Sequence, residues 1–251
     1  MRIVVAGGTG LIGTALVESL RAQGHEAVPA SPSTGVDTVT GAGLAEVLAG
    51  ASVLVDVTNS PSFEDGPVME FFTRSTERLL AAGRHAEIQH YVALSIVGTD
   101  GVPDSGYLRA KAAQEALVVA GGLPYSVVRA TQFFEFLGPI TTGSTVDGVV
   151  RLSTADLQPV AAADVSARLA EIAVAGPRNG RVDVAGPERG SFAEFVRPVL
   201  VAQGDPRPVV ASDETTYFGA VLEKSALVPV GEALIGSTDF GTWLAGRAVR
   251  V

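Results

Sequence analysis

The fold is decided by the stretch Val4-Val5-Ala6-Gly7-Gly8-Thr9-Gly10-Leu11-Ile12-Gly13-Thr14-Ala15-Leu16. A short apolar strand leads into glycines spaced G-x-x-G-x-x-G, and an amphipathic helix follows them. Gly7 permits a tight turn, Gly10 lets a phosphate approach the backbone, and Gly13 lets the helix lie close to the strand. The start of the helix offers free N–H groups and the positive end of its dipole to an anion. The stretch therefore predicts a dinucleotide site, with contacts expected from Gly7, Thr9, Gly10, Leu11, Ile12 and Gly13.

Length and charge narrow the class of protein further. The chain has 251 residues, a net charge of −9 and no cysteine. Its length suits one large domain, with or without a small lobe. The negative charge argues against nucleic acid or an anionic membrane surface as the main partner. No metal site is expected, because there is no cysteine and the three histidines lack a ligand spacing. No apolar run has membrane-spanning length, and the apolar start indicates a buried strand, so we expect a cytoplasmic protein.

Strand and helix patterns alternate along the first 130 residues. Strands are predicted at about 25–30, 52–57, 89–95 and 125–129, and helices at about 11–23, 44–48, 67–82 and 105–120. The strands are continuously apolar, which indicates a parallel sheet that is covered on both faces. The alternation predicts a doubly wound α/β fold.

The pattern is less regular beyond residue 129. We expect strands at about 146–152, 158–160, 181–184 and 209–210, and helices at about 163–174 and 191–203. The tail is predicted to be helical around 217–222, 232–235 and 240–244. We therefore predict a single domain over 1–251, in which residues of about 132–160 and 185–251 form a small C-terminal α+β substrate lobe.

Small polar side chains follow most of the predicted strands, where a parallel sheet has its ligand crevice. Hydroxyl and amide groups there suit a groove that holds a long cofactor through hydrogen bonds, and simple helix capping is the alternative explanation. Besides the glycine turn, we expect cofactor contacts from Ser31, Ser33, Thr58, Asn59, Ser60, Ser95, Lys111 and Thr131.

Tyr107 and Lys111 lie four residues apart on a predicted helix, so they share one face. Tyrosine has an ordinary pKa of about 10, and a nearby ammonium lowers it. Ser95, at the end of the preceding strand, is placed to hold a substrate carbonyl beside the phenol. The set predicts hydride-transfer catalysis in which the serine orients, the tyrosine transfers the proton, and the lysine tunes the phenol and holds the nicotinamide ribose. A solvated helix face is the alternative explanation of the tyrosine–lysine pair.

These residues resemble a known family. The glycine turn, the Ser95, Tyr107 and Lys111 set, Gln114-Glu115 and the run at 129–134 are similar to the short-chain dehydrogenase/reductase superfamily, specifically its atypical NmrA-like branch. The resemblance is strong over about 2–137 and weaker beyond. It implies a Rossmann-type domain with a small C-terminal substrate lobe. Some members of the branch are reductases, and others are regulators with degraded catalytic residues. The intact set in this chain favours an enzyme.

The end of the second strand bears on the choice of cofactor. An NAD site usually has Asp or Glu there to bind the ribose hydroxyls, whereas this chain has Ala30 and Ser31. An NADP site usually offers an arginine, which relatives often carry in this turn, but here Pro32 stands instead. The hydroxyls of Ser31, Ser33 and Thr34 can still bind a phosphate. NADP(H) is therefore favoured, and NAD(H) stays open.

The remaining site predictions concern the two ends of the cofactor. By analogy with relatives, Asp37 accepts a hydrogen bond from the adenine amine, with a turn cap as the alternative role. Ile96, Gln132, Phe133 and Phe136 are predicted to line the substrate pocket, because they follow strand ends toward the lobe. Packing in the core is the alternative role for the two phenylalanines.

The function we favour is that of an NAD(P)H-dependent oxidoreductase acting on a small carbonyl or quinone-like substrate. The alternative is an NmrA-like NADP(H)-sensing protein without turnover, which signals to a protein partner. An epimerase or dehydratase that retains NAD is a third option. We expect a small-molecule substrate, no nucleic acid or membrane partner, and a monomer or homodimer.

Overall fold

A computed structural model describes residues 1–248 of the chain. Its strands are β1 (Arg2–Ala6), β2 (Glu26–Ala30), β3 (Val53–Asp56), β4 (His90–Ile96), β5 (Tyr125–Ala130), β6 (Thr145–Val146), β7 (Val149–Leu152), β8 (Asp156–Leu157), β9 (Gly180–Ala185), β10 (Gly190–Ser191), β11 (Val209–Ala211), β12 (Thr216–Tyr217), β13 (Ala220–Val221) and β14 (Ala233–Ile235). Seven of them form one parallel sheet in the order β14-β9-β5-β4-β3-β1-β2. The predicted doubly wound parallel sheet is confirmed.

The helices are α1 (Leu11–Ala22), α2 (Leu44–Leu48), α3 (Asp65–His85), α4 (Gly106–Ala120), α5 (Leu137–Gly143), α6 (Ala162–Ala175), α7 (Phe192–Ala202) and α8 (Phe240–Ala248). Of these, α1 and α6 lie on one face of the sheet, and α2, α3 and α4 lie on the other. Side chains of β1 alternate between two cores, because successive residues of a strand point to opposite faces. Ile3 and Val5 belong to the core formed with α1 and α6. Val4 belongs to the core formed with α2, α3 and α4.

The order of the strands reverses between β1 and β3. From β1 the chain first adds β2 on one side and then adds β3, β4 and β5 successively on the other. In open α/β sheets a ligand crevice lies beyond the carboxyl ends of the strands at such a reversal. The glycine turn after β1 and the loop after β3 both lie at this point. The crevice thus lies next to the two segments from which the sequence predicts cofactor contacts.

The part of the chain that we predicted to be a lobe has its own apolar core. Buried side chains from the 3₁₀ turn at 134–136, from α5 and α7 and from the short strands β7 and β8 contribute to it, including Phe134, Leu137, Val150 and Phe192. Three small sheets surround this core: β6-β7-β11, β8-β10 and β12-β13. The division into a domain and a lobe stays a prediction.

Two predicted helices in the tail are wrong. The structure has the hairpin strands β12 and β13 in place of a helix at 217–222, and β14 in place of a helix at 232–235. Strand β14 pairs with β9 and so belongs to the main sheet. These short apolar runs have no clear period. Strands β12 and β13 form by pairing with each other, and β14 forms by pairing with β9, about fifty residues earlier. The helix predicted at 240–244 is confirmed as part of α8, and residues 249–251 lie outside the described residues.

Within residues 1–248, no helix combines the length and the apolar character that crossing a membrane requires.

Candidate active site

At Gly7 and Gly13, two of the three spaced glycines of the turn, close packing against the protein's own backbone leaves no room for a side chain. Gly7 has φ +81°, and a Cβ there would lie 2.8 Å from the carbonyl oxygen of Val57. A Cβ on Gly13 would lie 2.1 Å from the carbonyl oxygen of Gly7. Gly10 differs, because the nearest atom to a Cβ there is 3.4 Å away, which is an ordinary contact. Packing within the described chain therefore explains Gly7 and Gly13 but leaves Gly10 unexplained.

The start of α1 fits an anion. Gly10 is its N-cap residue, and in the described part of the chain no side chain caps this end. Thr9, Gly10 and Leu11 are exposed, whereas Ile12 is buried in the core. Open N–H groups at a helix N-terminus bind phosphate groups well. The start of α1 is therefore open to an anion at the position where the sequence predicts a pyrophosphate.

The loop after β3 connects the glycine turn to the catalytic candidates. A Cβ on Gly7 would lie 3.0 Å from the Thr58 nitrogen, so the two segments touch. Buried Asp56 accepts hydrogen bonds from the Thr58 hydroxyl at 2.6 Å and from the Thr58 N–H at 3.0 Å. Asn59 Oδ1 accepts the N–H of Ser60 at 3.0 Å. The Thr58 hydroxyl is thus committed to Asp56, while Asn59 is exposed.

Tyr107 lies beside Asn59 at the start of α4. The Ser105 hydroxyl caps this helix by accepting the N–H of Leu108. The Tyr107 hydroxyl donates to Asn59 Oδ1 at 3.1 Å. Burial raises the pKa of Tyr107 to about 12. The phenol therefore carries its proton at neutral pH, as a general acid must.

Lys111 lies one turn further along α4 and is buried. Its ammonium donates to the carbonyl oxygen of Leu94 at 2.8 Å and to Gln114 Oε1, and lies 4.4 Å from the centre of the Phe72 ring. Burial lowers the pKa of Lys111 to about 8, and the nearby carboxylates of Asp56 and Glu115 oppose that shift.

We expected Lys111 to lower the pKa of Tyr107 below its ordinary value, and this prediction is wrong. Desolvation of the Tyr107 phenolate is the larger effect, and it raises the pKa.

Ser95 lies in a different set of contacts. Its hydroxyl donates to Glu115 Oε1 at 2.6 Å, and both residues are buried. Glu115 also accepts from Arg129 Nε at 2.8 Å and from Arg181 Nε at 2.9 Å. We call Ser95, Thr99, Glu115, Arg129 and Arg181 the Glu115 cluster, since Thr99 donates to the same carboxylate at 3.3 Å. The Ser95 and Tyr107 hydroxyls thus bind different partners, and the predicted catalytic role of Ser95 has no contact that supports it.

The turn after β2 is organised by its own side chains. Ser31 begins a 3₁₀ helix over Pro32–Thr34, and its hydroxyl lies 2.9 Å from that of exposed Ser33. The Asp37 carboxylate accepts the N–H groups of Val39 and Thr40 at 2.8 and 3.1 Å. These backbone hydrogen bonds, above all that of Thr40, hold the pKa of Asp37 below its ordinary value. The contacts match the turn cap that was the alternative role for Asp37.

The segment after β5 contains one unpaired polar atom. The Thr131 hydroxyl donates to the carbonyl oxygen of Gln158 at 2.6 Å. Gln132 is only 8% exposed, and its Oε1 has no hydrogen-bond partner among residues 1–248. A buried acceptor without a partner is costly, and a ligand N–H or O–H would remove that cost. Phe133 and Phe136 stack on each other at 5.5 Å, and Ile96 packs against the core of the predicted lobe.

Comparison with known proteins adds information on the fold. No family model matches the chain, and no curated protein matches its sequence. Among solved structures, MoeE5 in complex with UDP-glucuronic acid and NAD is 20% identical, with a TM-score of 0.75 over 100% of this chain and 99% of that chain. A short-chain dehydrogenase/reductase superfamily protein from Agrobacterium tumefaciens with bound NAD is 17% identical, with a TM-score of 0.72 over 99% and 96%. This chain therefore has the Rossmann-type fold that these two structures share.

A third solved structure that this chain resembles is the NADPH-dependent quinone oxidoreductase QOR2 from Escherichia coli in complex with NADPH. It is 19% identical, with a TM-score of 0.64 over 84% of this chain and 77% of that chain. The three structures include both NAD and NADPH complexes, so they do not distinguish the two cofactors. None of their descriptions names the NmrA-like branch, which stays a prediction.

In this structure one continuous set of contacts joins the glycine turn, Thr58, Asn59 and Tyr107. Sequence reasoning named all of these residues but did not pair Asn59 with Tyr107. It also missed the role of Glu115, which lies twenty residues from Ser95 in sequence and whose several partners only the fold reveals.

Proposed function

We propose that this protein is an NADPH-dependent oxidoreductase that reduces a small carbonyl or quinone-like substrate. The observation that carries the proposal is the hydrogen bond between Tyr107 and Asn59. Asn59 lies in the loop after β3, three residues beyond Asp56, and directly follows the residues of that loop that contact Gly7. This places a proton donor beside a predicted pyrophosphate turn. The open Gly10 and the uncapped start of α1 support a dinucleotide in that turn.

The residues of the chain have separable roles in such a reaction. The bound nicotinamide would supply a hydride, with its two electrons, to the carbonyl carbon. The Tyr107 phenol donates its proton to the carbonyl oxygen, which becomes a hydroxyl group. The amide of Asn59, already against the phenol, donates a hydrogen bond to the same oxygen as negative charge develops there. In this proposal Asn59, rather than Ser95, holds the carbonyl.

Lys111 lies one helical turn beyond Tyr107 on α4. Its ammonium is held by Leu94 and Gln114, so it lies at a fixed position in a region of low dielectric constant. In this proposal its positive charge offsets part of the cost of the phenolate that remains after proton transfer, while desolvation stays the larger effect on the pKa of Tyr107. The predicted contact of Lys111 with the nicotinamide ribose is part of the proposal.

NADP(H) is the proposed cofactor because no carboxylate follows β2. We propose that the exposed Ser33 hydroxyl and the Ser31 hydroxyl, which lie 2.9 Å apart in the turn after β2, bind the added phosphate of NADP. A carboxylate at this position would repel that phosphate, whereas these hydroxyls can donate to it. Calorimetry with both reduced cofactors measures the preference, and a lower Kd for NADPH than for NADH is expected.

Turnover tests the proposal directly. Purified protein is mixed with NADPH and a panel of 1,4-naphthoquinone, butane-2,3-dione and benzaldehyde, and the loss of absorbance at about 340 nm is followed. Tyr107→Phe is expected to lower kcat about 100-fold, because the general acid is lost, while the Kd for NADPH stays within a few-fold. Tyr125→Phe, at the opposite end of the sheet, is the matched control and should keep full activity.

Two outcomes would contradict the proposal. Equal activity of the wild type and Tyr107→Phe on a confirmed substrate would remove the assigned acid. Tight binding of one redox form of the cofactor, without turnover of any compound of a broad panel, would favour the cofactor-sensing alternative.

A further inference from the structure

Two exposed phenylalanine rings lie against the phenol of Tyr107. Phe63 comes from the loop before α3, and its ring centre is 5.2 Å from that of Tyr107 in an edge-to-face arrangement. Phe218 comes from the β12–β13 turn, and its ring centre is 5.1 Å from that of Tyr107. The two phenylalanine rings are 5.4 Å apart, and they are 49% and 38% exposed for Phe63 and Phe218. We call Phe63 and Phe218 the phenylalanine pair.

The backbone at Phe218 is strained. Tyr217 pairs with Ala220, so Phe218 and Gly219 form a two-residue hairpin turn. Both have positive φ, +47° and +83°. Hairpin turns of this kind strongly prefer Asn, Asp or Gly at both positions, and a bulky side chain at positive φ is an outlier. Strain of this kind is a pointer to function when the surrounding structure maintains it. Here it holds an aromatic ring beside the proposed acid.

The surroundings of the phenylalanine pair suit an uncharged ligand. The nearest cation along α4 is Arg109, and it is occupied by Asp65 at 2.8 Å and by the carbonyl oxygen of Pro103 at 2.7 Å. Lys111 is buried beneath the Phe72 ring and is bonded within the protein. Aromatic faces attract flat apolar rings. Free cations, which would strengthen the binding of a negatively charged substrate, are not offered by Arg109 or Lys111.

We propose that the phenylalanine pair binds the flat face of an uncharged aromatic ring, such as that of a quinone or an aryl ketone. The pair then holds the carbonyl of that ring against Tyr107 and Asn59. This inference rests on the proposed function for the direction of the chemistry, but it concerns which substrates bind. Because Phe63 and Phe218 touch each other, entry of a substrate ring displaces one of them. Phe218 is held in a two-residue turn between paired strands, whereas Phe63 lies on a longer loop, so Phe63 is the ring that moves.

The substitution Phe218→Asn tests this inference. Asparagine suits positive φ, so the hairpin is expected to form and the protein to fold. The ring is lost, so the KM for 1,4-naphthoquinone is expected to rise about tenfold, the scale of one lost aromatic contact. The KM for butane-2,3-dione, which has no ring, should change less than about twofold. Phe218→Tyr keeps a ring and should keep the wild-type KM.

A control on the same hairpin separates packing from recognition. Val221→Thr changes an exposed apolar residue of β13 and should leave both KM values unchanged. Equal effects of Phe218→Asn on the two substrates, or none on the naphthoquinone, would overturn the inference and leave the proposed function intact.

Binding without turnover distinguishes the two proposals. Calorimetry of 1,4-naphthoquinone with the NADP⁺ complex of Tyr107→Phe is expected to show binding that Phe218→Asn weakens about tenfold in that background. If this difference is found although no carbonyl is reduced by the wild type, the phenylalanine pair binds rings and the proposed function fails. If the quinone does not bind to either protein, the inference on the ring site fails.

Discussion

Gly10 and Gly13 look equivalent in the sequence, but the structure gives them different roles. A Cβ at position 13 would lie 2.1 Å from the Gly7 carbonyl oxygen, whereas one at position 10 meets nothing closer than 3.4 Å. Alanine usually stabilises a helix by about 1 kcal/mol relative to glycine, but a backbone overlap of this size outweighs that gain. Gly13 therefore serves the fold, and Gly10 is free to serve a ligand.

A pair of alanine substitutions tests this difference. Gly13→Ala is expected to lower the free energy of unfolding by about 2 kcal/mol, as measured in urea. Gly10→Ala is expected to fold normally but to raise the Kd for NADPH about tenfold, because its methyl group occupies the space of the pyrophosphate. Unchanged NADPH binding in a folded Gly10→Ala protein would remove the dinucleotide from this turn.

At the scale of elements, the Glu115 cluster joins α4 to β4, β5 and β9. One buried carboxylate accepts from Ser95, Thr99, Arg129 and Arg181. Removing a buried charge while its partners remain is costly, because the partners are left uncompensated. The cluster thus fixes the end of β4 and the helix that carries Tyr107.

Substitutions in this cluster should separate stability from catalysis. Glu115→Gln is expected to reduce the free energy of unfolding by about 3 kcal/mol, and Ser95→Ala by about 1 kcal/mol, as measured by urea denaturation. Ser95→Ala should keep a kcat near that of the wild type when rates are compared per folded molecule. A fall in kcat of about 100-fold would instead restore Ser95 as a catalytic residue.

Some elements could be predicted from local sequence, and others could not. Ser105 before α4 and Ser191 before α7 are capping residues whose signal lies within one helical turn, and both cap their helices in the structure. The segments at 216–221 and 233–235 carry no such signal. They form strands because Tyr217 faces Ala220 across a tight turn and Ala233 pairs with Asp183, fifty residues earlier. Intrinsic strand propensity is a weak predictor of such short strands, because cross-strand pairing decides whether they form.

At the scale of the whole molecule, the end of the sheet opposite the crevice carries a buried histidine. His90 Nε2 lies 2.9 Å from the Ser126 hydroxyl, and Nδ1 lies 3.4 Å from the carbonyl oxygen of Ala173. Burial lowers the pKa of His90 below its ordinary value of 6.5. The folded protein therefore binds this proton more weakly than the unfolded chain does.

The consequence is a defined dependence of stability on pH. The contribution of neutral His90 is fully present above the unfolded pKa of about 6.5 and is lost as the pH falls through the lower folded pKa. The free energy of unfolding of the wild type should therefore fall between pH 7 and pH 5. His90→Gln should show a smaller fall than the wild type in urea titrations at both pH values. His85→Gln, at an exposed position, is the control and should behave as the wild type.

In the candidate site too, the sequence predicts local features but not contacts between distant segments. The glycine spacing and the four-residue step from Tyr107 to Lys111 are local, so the sequence reveals them. The contact of Tyr107 with Asn59 joins residues 48 apart, and those with Phe63 and Phe218 join α4 to a loop and to a hairpin. Spacing carries no information on such contacts, because they depend on how separate segments meet in the fold.

The outermost strand β14 has a consequence for synthesis of the protein. Its residues 233–235 leave the ribosome long after the other six strands of the main sheet, so β9 has an unpaired edge until then. An open edge invites pairing with a neighbouring nascent chain. Messages that are cut short before codon 233 should therefore yield polypeptides that aggregate, even though every residue of the crevice has already been translated.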